Sequence, residues 1–261
     1  MPGTRVLAAQ AWRDVETLLD RQLSPLGLRA MAALAPRRAE TIVDIGCGTG
    51  QTVLQLADHV GAEGEIVGVD IAPLLLDRAR ERAAALTQAR FVESDAARLD
   101  LPDGSADAIY SRFGVMAFAA PATAFANFHR MLKPSGRLAF VCWRSLEENE
   151  LDILPLRAAG LEARADKTPF SFEKPDVIRA VLGSAGFKHI AIAQHDEPVS
   201  SGGVDEMLAV LLKVGPLGRI LRENPALQDA AAPRLRAALE ARNANGRVLL
   251  DAAVWIVAAS A

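Results

Sequence analysis

This 261-residue chain lacks a net basic charge and has few cysteines and no long apolar run. A formal net charge of −3 leaves no basic footprint for nucleic acid. The arginines alternate with acids, as in Asp77-Arg78-Ala79-Arg80-Glu81-Arg82, which reads as a solvated helix face with i,i+4 pairs. Only Cys47 and Cys142 are present, without metal-ligand spacing, so no metal site and no disulfide framework are expected, and reduced thiols fit a cytoplasmic protein. Met1-Pro2-Gly3-Thr4-Arg5 carries no apolar h-region and no apolar run reaches about eighteen residues, so neither export nor membrane insertion is expected. A Gly-Lys-Ser/Thr triplet is missing, which excludes a P-loop. Internal repeats are missing too.

What the chain does have is an apolar content of 51%, ample for a core, and one informative loop. The strand-like Thr41-Ile42-Val43 runs into Asp44-Ile45-Gly46-Cys47-Gly48-Thr49-Gly50. Glycines at every second position let backbone approach a ligand closely and accept positive φ. Helical spacing follows in Gln51-Thr52-Val53-Leu54-Gln55-Leu56-Ala57, and a second strand, Glu65–Asp70, ends in an acid. Strand, glycine loop, helix, strand, acid is the layout of a nucleotide-binding βαβ unit. A dinucleotide fingerprint needs G-x-G-x-x-G, but position 51 is Gln, and no Tyr-x-x-x-Lys pair supports a nicotinamide dehydrogenase. The acid-x-G-x-G-x-G form instead resembles motif I of the S-adenosylmethionine (SAM)-dependent methyltransferases.

Residues 8–35 have helical spacing, with a new helix expected at Ser24-Pro25. Strands are expected at 41–45, 65–70, 90–93, 107–111 and 137–143, with helices at about 51–60, 73–86 and 121–132 and a turn at 133–136. Repeated βα units imply a doubly wound, mostly parallel sheet with ligands at the strands' carboxyl ends. Beyond Trp143 the pattern loosens, with Pro155 and Pro169 as breaks, a helix at 175–185, a sixth strand at 189–193, a helical insertion at about 200–245 and a last, antiparallel strand at 247–258. One α/β domain is expected: N-terminal helices (1–40), the cofactor core (41–143), a variable insertion (144–187) and the C-terminal strands with their helical lid (188–261).

From Trp12 to Trp143 the chain resembles a bacterial class I SAM-dependent methyltransferase of the ubiquinone/menaquinone-methyltransferase-like superfamily. The residues that carry the resemblance are Val43–Gly50, Val67-Gly68-Val69-Asp70, Asp95-Ala96, Ser111-Arg112-Phe113-Gly114-Val115-Met116 and Arg130-Met131-Leu132-Lys133-Pro134-Ser135-Gly136. The last departs from the family's R-x-L-K-P-G-G turn at Ser135. The resemblance implies a Rossmann-like, seven-stranded sheet, SAM as cofactor with S-adenosylhomocysteine as product, and methyl transfer to a small molecule.

The cofactor residues expected on these grounds are Asp44, Gly46, Cys47, Gly48, Thr49, Gly50, Asp70, Ile71, Asp95, Ala96 and Ser111. The loop amides would form a polar cradle. Asp44 would meet the cationic amino group or order the loop. Asp70 would accept the ribose hydroxyls or cap the helix at Pro73, and Asp95 would meet the adenine amino group or cap the next turn. The acceptor would lie against Arg112, Phe113, Met116, Trp143 and Arg144, with an arginine as the polar handle of a mainly apolar molecule. Trp12 would close over the cofactor or anchor its helix in the core. Phe170, Phe172 and an apolar stripe at Leu208, Leu211, Leu212, Leu217, Ile220 and Leu221 would belong to a lid or pack it down. No catalytic residue stands out; His195, expected just past the sixth strand, is the only histidine on the right rim for a base. A SAM-binding subunit without turnover remains an alternative, as does a homodimer. A DNA methyltransferase is disfavoured, because Ser111-Arg112-Phe113-Gly114 stands where an Asn/Asp-Pro-Pro-aromatic motif would be.

Overall fold

The computed structural model describes residues 3–116 and 118–261, so Met1 and Pro2 of the N-terminal stretch lie outside it. The chain divides into two compact units: Met1–Pro25, Arg144–Thr168 and Asp196–Ala253 make a helical unit; Leu26–Trp143, Pro169–His195 and Val254–Ala261 make a sheet unit.

In chain order the elements are α1 (Thr4–Asp14), α2 (Glu16–Leu34), β1 (Thr41–Ile45), α3 (Gln51–Val60), β2 (Glu65–Asp70), α4 (Pro73–Arg82), β3 (Ala89–Glu93), β4 (Ala106–Arg112), α5 (Pro121–Met131) and β5 (Leu132–Trp143). They continue with α6 (Glu150–Ala159), α7 (Pro175–Ser184), β6 (Lys188–Val199), α8 (Val204–Leu211), α9 (Gly215–Glu223), α10 (Gln228–Glu240), the short ribbon β7 (Asn243–Ala244) and β8 (Arg247–Val248), and β9 (Leu250–Ser260). Seven strands form one sheet in the order β3-β2-β1-β4-β5-β9-β6. β1 pairs in parallel with both β2 and β4, β2 with β3, and β4 with β5; β9 runs antiparallel to β5. The expected Rossmann-like, doubly wound sheet with an antiparallel last strand is therefore the observed one. Because the chain winds away from β1 on both sides, the order reverses between β1 and β4, and sheets of this kind bind ligands at the carboxyl ends of the strands beside such a switch point.

The core of the sheet unit is aromatic. Phe125 on α5 is fully buried, and its ring meets those of Phe118, Phe128, Phe140 and Phe172 at centroid distances of 5.3 to 6.4 Å. In the helical unit α6 and α8 pack on α10 and α9 on α6, around buried Leu156, Met207, Leu217, Ile220, Leu235 and Leu239.

Several local expectations are corrected. The N-terminal helices break at Val15, not at Ser24-Pro25; Pro25 and Pro155 both lie inside helices. Burial of Leu23, Leu26, Ala30, Met31 and Leu34 along α2 outweighs the roughly 3 kcal/mol that an interior proline costs. β5 begins at Leu132, and the expected turn at 133–136 is a bulge, since Ala106 pairs with Leu132 and Ala108 with Arg137. β6 extends to Val199, so His195 lies inside the strand. The last strand starts at Leu250; residues 247–248 belong to the separate ribbon. Phe170 and Phe172 are not lid residues but are buried, Phe172 against Phe125 and Phe140. Trp12 is 37% exposed, which removes it as a core anchor, while Leu211, Leu217, Ile220 and Leu221 are buried.

Truncating the central ring should cost about 3–5 kcal/mol. Urea denaturation of Phe125→Ala is expected to show a loss of that size with the slope unchanged.

Candidate functional site

Three glycines with positive φ shape the loop after β1, and each has a different neighbour. A Cβ on Gly46 (φ +73°) would lie 2.8 Å from the Cα of Gly114, and one on Gly50 (φ +87°) would lie 2.9 Å from the Cβ of Ala79 on α4. Gly48 (φ +54°) faces open space. So the first glycine admits the loop after β4, the third admits α4, and the middle one leaves a bare, open backbone face.

The loop's amides point inward. Gly46 N–H and Cys47 N–H both donate to the Val69 carbonyl, at 2.8 and 3.0 Å, and Gly50 N–H donates to the Cys47 carbonyl at 2.9 Å. Gly48 N–H donates to Asp70 Oδ2 at 2.9 Å. At these four positions the N–H groups hold the loop to β2 and to itself, which leaves the first turn of α3 as the remaining part of the expected amide cradle. Cys47 turns its thiol inward, 3% exposed, where burial pushes its pKa up. Thr49 accepts from Arg82 Nη1 through its carbonyl at 3.3 Å and its hydroxyl at 3.1 Å.

The acids sit at successive strand ends. Asp44 is fully buried beneath the loop, accepts a short hydrogen bond from the Thr52 hydroxyl on α3, and keeps Oδ1 without a hydrogen-bond partner. Burial raises its pKa to about 7, against the opposing effects of Thr52 and the Arg112 guanidinium. Asp70, at the end of β2, accepts from Gly48 N–H and from Ala72 N–H, both at 2.9 Å, and burial raises its pKa. Ile71 beside it is 49% exposed. Asp95, after β3, is exposed and caps the following turn by accepting from Ala97 N–H at 2.9 Å, while Ala96 is buried.

The end of β4 is locked to the end of β1. Ser111 is fully buried; its hydroxyl donates to the Ile45 carbonyl at 2.7 Å and accepts from Gly114 N–H at 3.1 Å. These two bonds tie the loops after β1 and β4 together. Arg112 donates to Gln51 Oε1 at the start of α3, and its side chain passes over Gly27, where a Cβ would lie 2.7 Å from its Cδ. Phe113 takes φ +60° and stacks on Trp143 with ring centroids 4.1 Å apart and planes 19° apart. A positive φ at a large residue costs about 1–2 kcal/mol, which marks the position as held by its surroundings. Met116 is buried, and its sulfur accepts from Trp143 N–H at 3.2 Å. Arg144, in the helical unit, is 8% exposed and paired with Glu148 and with Asp196 at 2.7 Å, so it does not stand open as a handle.

The histidines do not gather here. His189 contacts Ser260 Oγ at 2.9 Å, His129 packs edge-on to Phe187, and His195 sits within β6. Among the described residues no group of three or more His, Cys, Asp or Glu could hold a metal ion, and no helix is long and apolar enough to cross a membrane. Thr52 and Gly27 touch the candidate site residues Asp44 and Arg112 and were not assigned to the site from the sequence. Thr52 lies in the expected first helical turn after the glycine loop, next to the acid it bonds only in the fold; Gly27 gives no local signal at all.

A βαβ loop with an acid beneath it, an acid after β2 and a bare face at Gly48 defines a nucleotide-binding protein of the SAM-dependent methyltransferase class. The residues fit that cofactor: unpartnered Asp44 Oδ1 suits a cation, and the Cβ-free face at Gly48 leaves room. The family description "methyltransferase domain" matches residues 42–136. Over 179 residues the chain is 36% identical to a demethylmenaquinone methyltransferase of Deinococcus radiodurans, covering 65% of this chain and 68% of that one. The YcgJ protein of Bacillus subtilis superposes with a TM-score of 0.61 at 21% identity, over 90% of this chain and 97% of that one. A Haemonchus contortus phosphoethanolamine N-methyltransferase, solved with phosphomonomethylethanolamine and S-adenosylhomocysteine, superposes at 0.57 with 16% identity, over 90% and 52%. The chain belongs to the class I SAM-dependent methyltransferases of the ubiquinone/menaquinone-methyltransferase-like kind. It is an enzyme that methylates a small molecule, and its cofactor is SAM.

A buried carboxyl with a raised pKa favours the folded state while it is protonated. Asp44 therefore contributes stability that is fully present below the unfolded pKa, near 3.8, and is lost as pH rises through about 7. Relative to wild type, Asp44→Asn should gain on the order of a few kcal/mol between about pH 4 and about pH 8. Urea titrations of both proteins at several pH values check this, the remaining carboxylates cancelling in the difference.

Proposed function

We propose that the crevice at the ends of β1, β2 and β4 holds SAM and presents its methyl group to a planar, mainly apolar acceptor. The observation that carries this reading is the Phe113–Trp143 stack at the ends of β4 and β5, a flat apolar platform held by the strained Phe113 backbone. Stacked aromatic faces add about 0.5–1.5 kcal/mol beyond their area burial and select flat partners. The similarity to the demethylmenaquinone methyltransferase of D. radiodurans makes demethylmenaquinone the first acceptor to try.

In this reading the Gly46–Gly50 loop gives SAM its bare backbone face, and Asp44 Oδ1 accepts from the amino group. Asp70 retains lone pairs for the ribose hydroxyls, and Ile71 and Asp95 flank the adenine. Cys47, Ala96 and Ser111 support these groups from behind. SAM supplies the activated methyl group, so the chain's own task is alignment and exclusion of water. A base is required only for an acceptor that must shed a proton; His195, inside β6, is not assigned that role. Reduced buried thiols and the mildly acidic surface support a cytoplasmic enzyme that does not act on nucleic acid.

Transfer of tritium from methyl-labelled SAM into demethylated quinols is the test. Label entering only small hydrophilic acceptors would sink the apolar reading, and SAM binding without any transfer would favour a non-catalytic subunit. Trp143→Ala is expected to raise KM for the acceptor about tenfold while leaving S-adenosylhomocysteine affinity within about twofold.

A further inference from the structure

The Phe113–Trp143 stack stands at the end of an interrupted ladder. β4 and β5 pair in parallel as far as Arg112 and Val141, and Phe113 N–H still donates to the Val141 carbonyl at 3.1 Å. The next rung of a parallel ladder would take Trp143 N–H to the Phe113 carbonyl. Phe113 instead turns to φ +60°, and the Met116 sulfur accepts the Trp143 N–H at 3.2 Å. A thioether is a weak acceptor on a pliable stem, so this last bond of the strand is a soft one.

We propose that Met116 is a positioning residue of the acceptor site: it sets Trp143 against Phe113 and does not itself touch the acceptor. The role rests on the acceptor reading of the stack given above. The sequence groups Met116 with Phe113 and Trp143 as acceptor contacts, and burial separates it from them. Met116 is 6% exposed, while both rings of the stack are only partly buried. A ring's direction follows the backbone that carries it, so a bond to the N–H of residue 143 sets where the indole lies.

Met116 is in turn fixed from its other side. The Ser171 hydroxyl donates to the Met116 carbonyl at 2.7 Å, and Phe172, the next residue, is buried against Phe125 and Phe140. A line of contacts therefore runs from the aromatic core through Ser171 and Met116 to the backbone of Trp143, all within the sheet unit. The backbone of Met116 is held by a hydroxyl, and its side chain holds the platform.

The chain has three tryptophans, so replacing Trp12 and Trp255 by Phe leaves the fluorescence of Trp143 alone. In that background Met116→Leu, which keeps the volume and removes the acceptor, should raise acrylamide quenching of Trp143 about twofold. Met116→Gln, which returns an acceptor on an unbranched stem, should bring it back toward the parent value. Ser171→Ala should move quenching in the same direction as Met116→Leu, and serves if that variant does not fold. With a demethylated quinol as acceptor, Met116→Leu should raise KM about fivefold while kcat and S-adenosylhomocysteine affinity stay within about twofold. In the Trp143→Ala background the same substitution should add nothing, because it acts through that ring. Unchanged quenching in Met116→Leu, or KM losses that multiply in the double variant, would overturn the proposal. Failure to methylate any quinol would overturn the acceptor reading, and the quenching would still decide whether Met116 positions Trp143.

Discussion

The loops that leave β1 and β4 meet backbone to backbone. Gly46 and Gly114 face each other with no room for a Cβ on either; on Gly114 it would lie 2.5 Å from the Ile45 carbonyl oxygen. The buried Ser111 hydroxyl clamps that approach, bonded to one loop as donor and to the other as acceptor. Most of what surrounds the crevice follows from this closeness. With β4 turning sharply at its end, Phe113 is driven to φ +60° and onto Trp143, and Arg112 is left crossing α2 toward α3.

Most of the glycine loop's amides are used within the protein. In phosphate-binding loops the free amides at a helix N-terminus meet the ligand's negative charge. Here the N–H groups at Gly46, Cys47, Gly48 and Gly50 are donated within the protein, two of them to Val69 and one to Asp70. What the loop offers is the Cβ-free surface at Gly48, backed by the buried carboxyl of Asp44. The same acid that orders the loop through Thr52 keeps an oxygen without a hydrogen-bond partner.

Elements with strict periodicity were legible. The glycine loop, the first five strands and the helices between them follow from apolar runs and turn residues, and the acids at 44, 70 and 95 mark strand ends. Legibility failed where burial overrode a local rule. Pro25 and Pro155 read as breaks because an interior proline forfeits a hydrogen bond, yet both helices continue across them. The Lys133–Gly136 turn became a bulge because pairing resumes on either side of it. His195 looked like a rim residue only because polar residues disguised the extension of β6 to Val199. Phe172 read as lid, since no sequence rule distinguishes a surface aromatic in an irregular segment from one that folds back against Phe125 and Phe140.

By itself the sequence determined the class of fold and the kind of cofactor, because glycine spacing and strand-end acids are local features that tolerate few backbone arrangements. Only the tertiary structure decided what each of those groups does. Whether an N–H faces solvent or a neighbouring strand, and whether Arg144 is open or held by Asp196, are questions of partners distant in the chain. Gly27 lies 85 positions before the arginine it accommodates, and no local pattern could have joined the two.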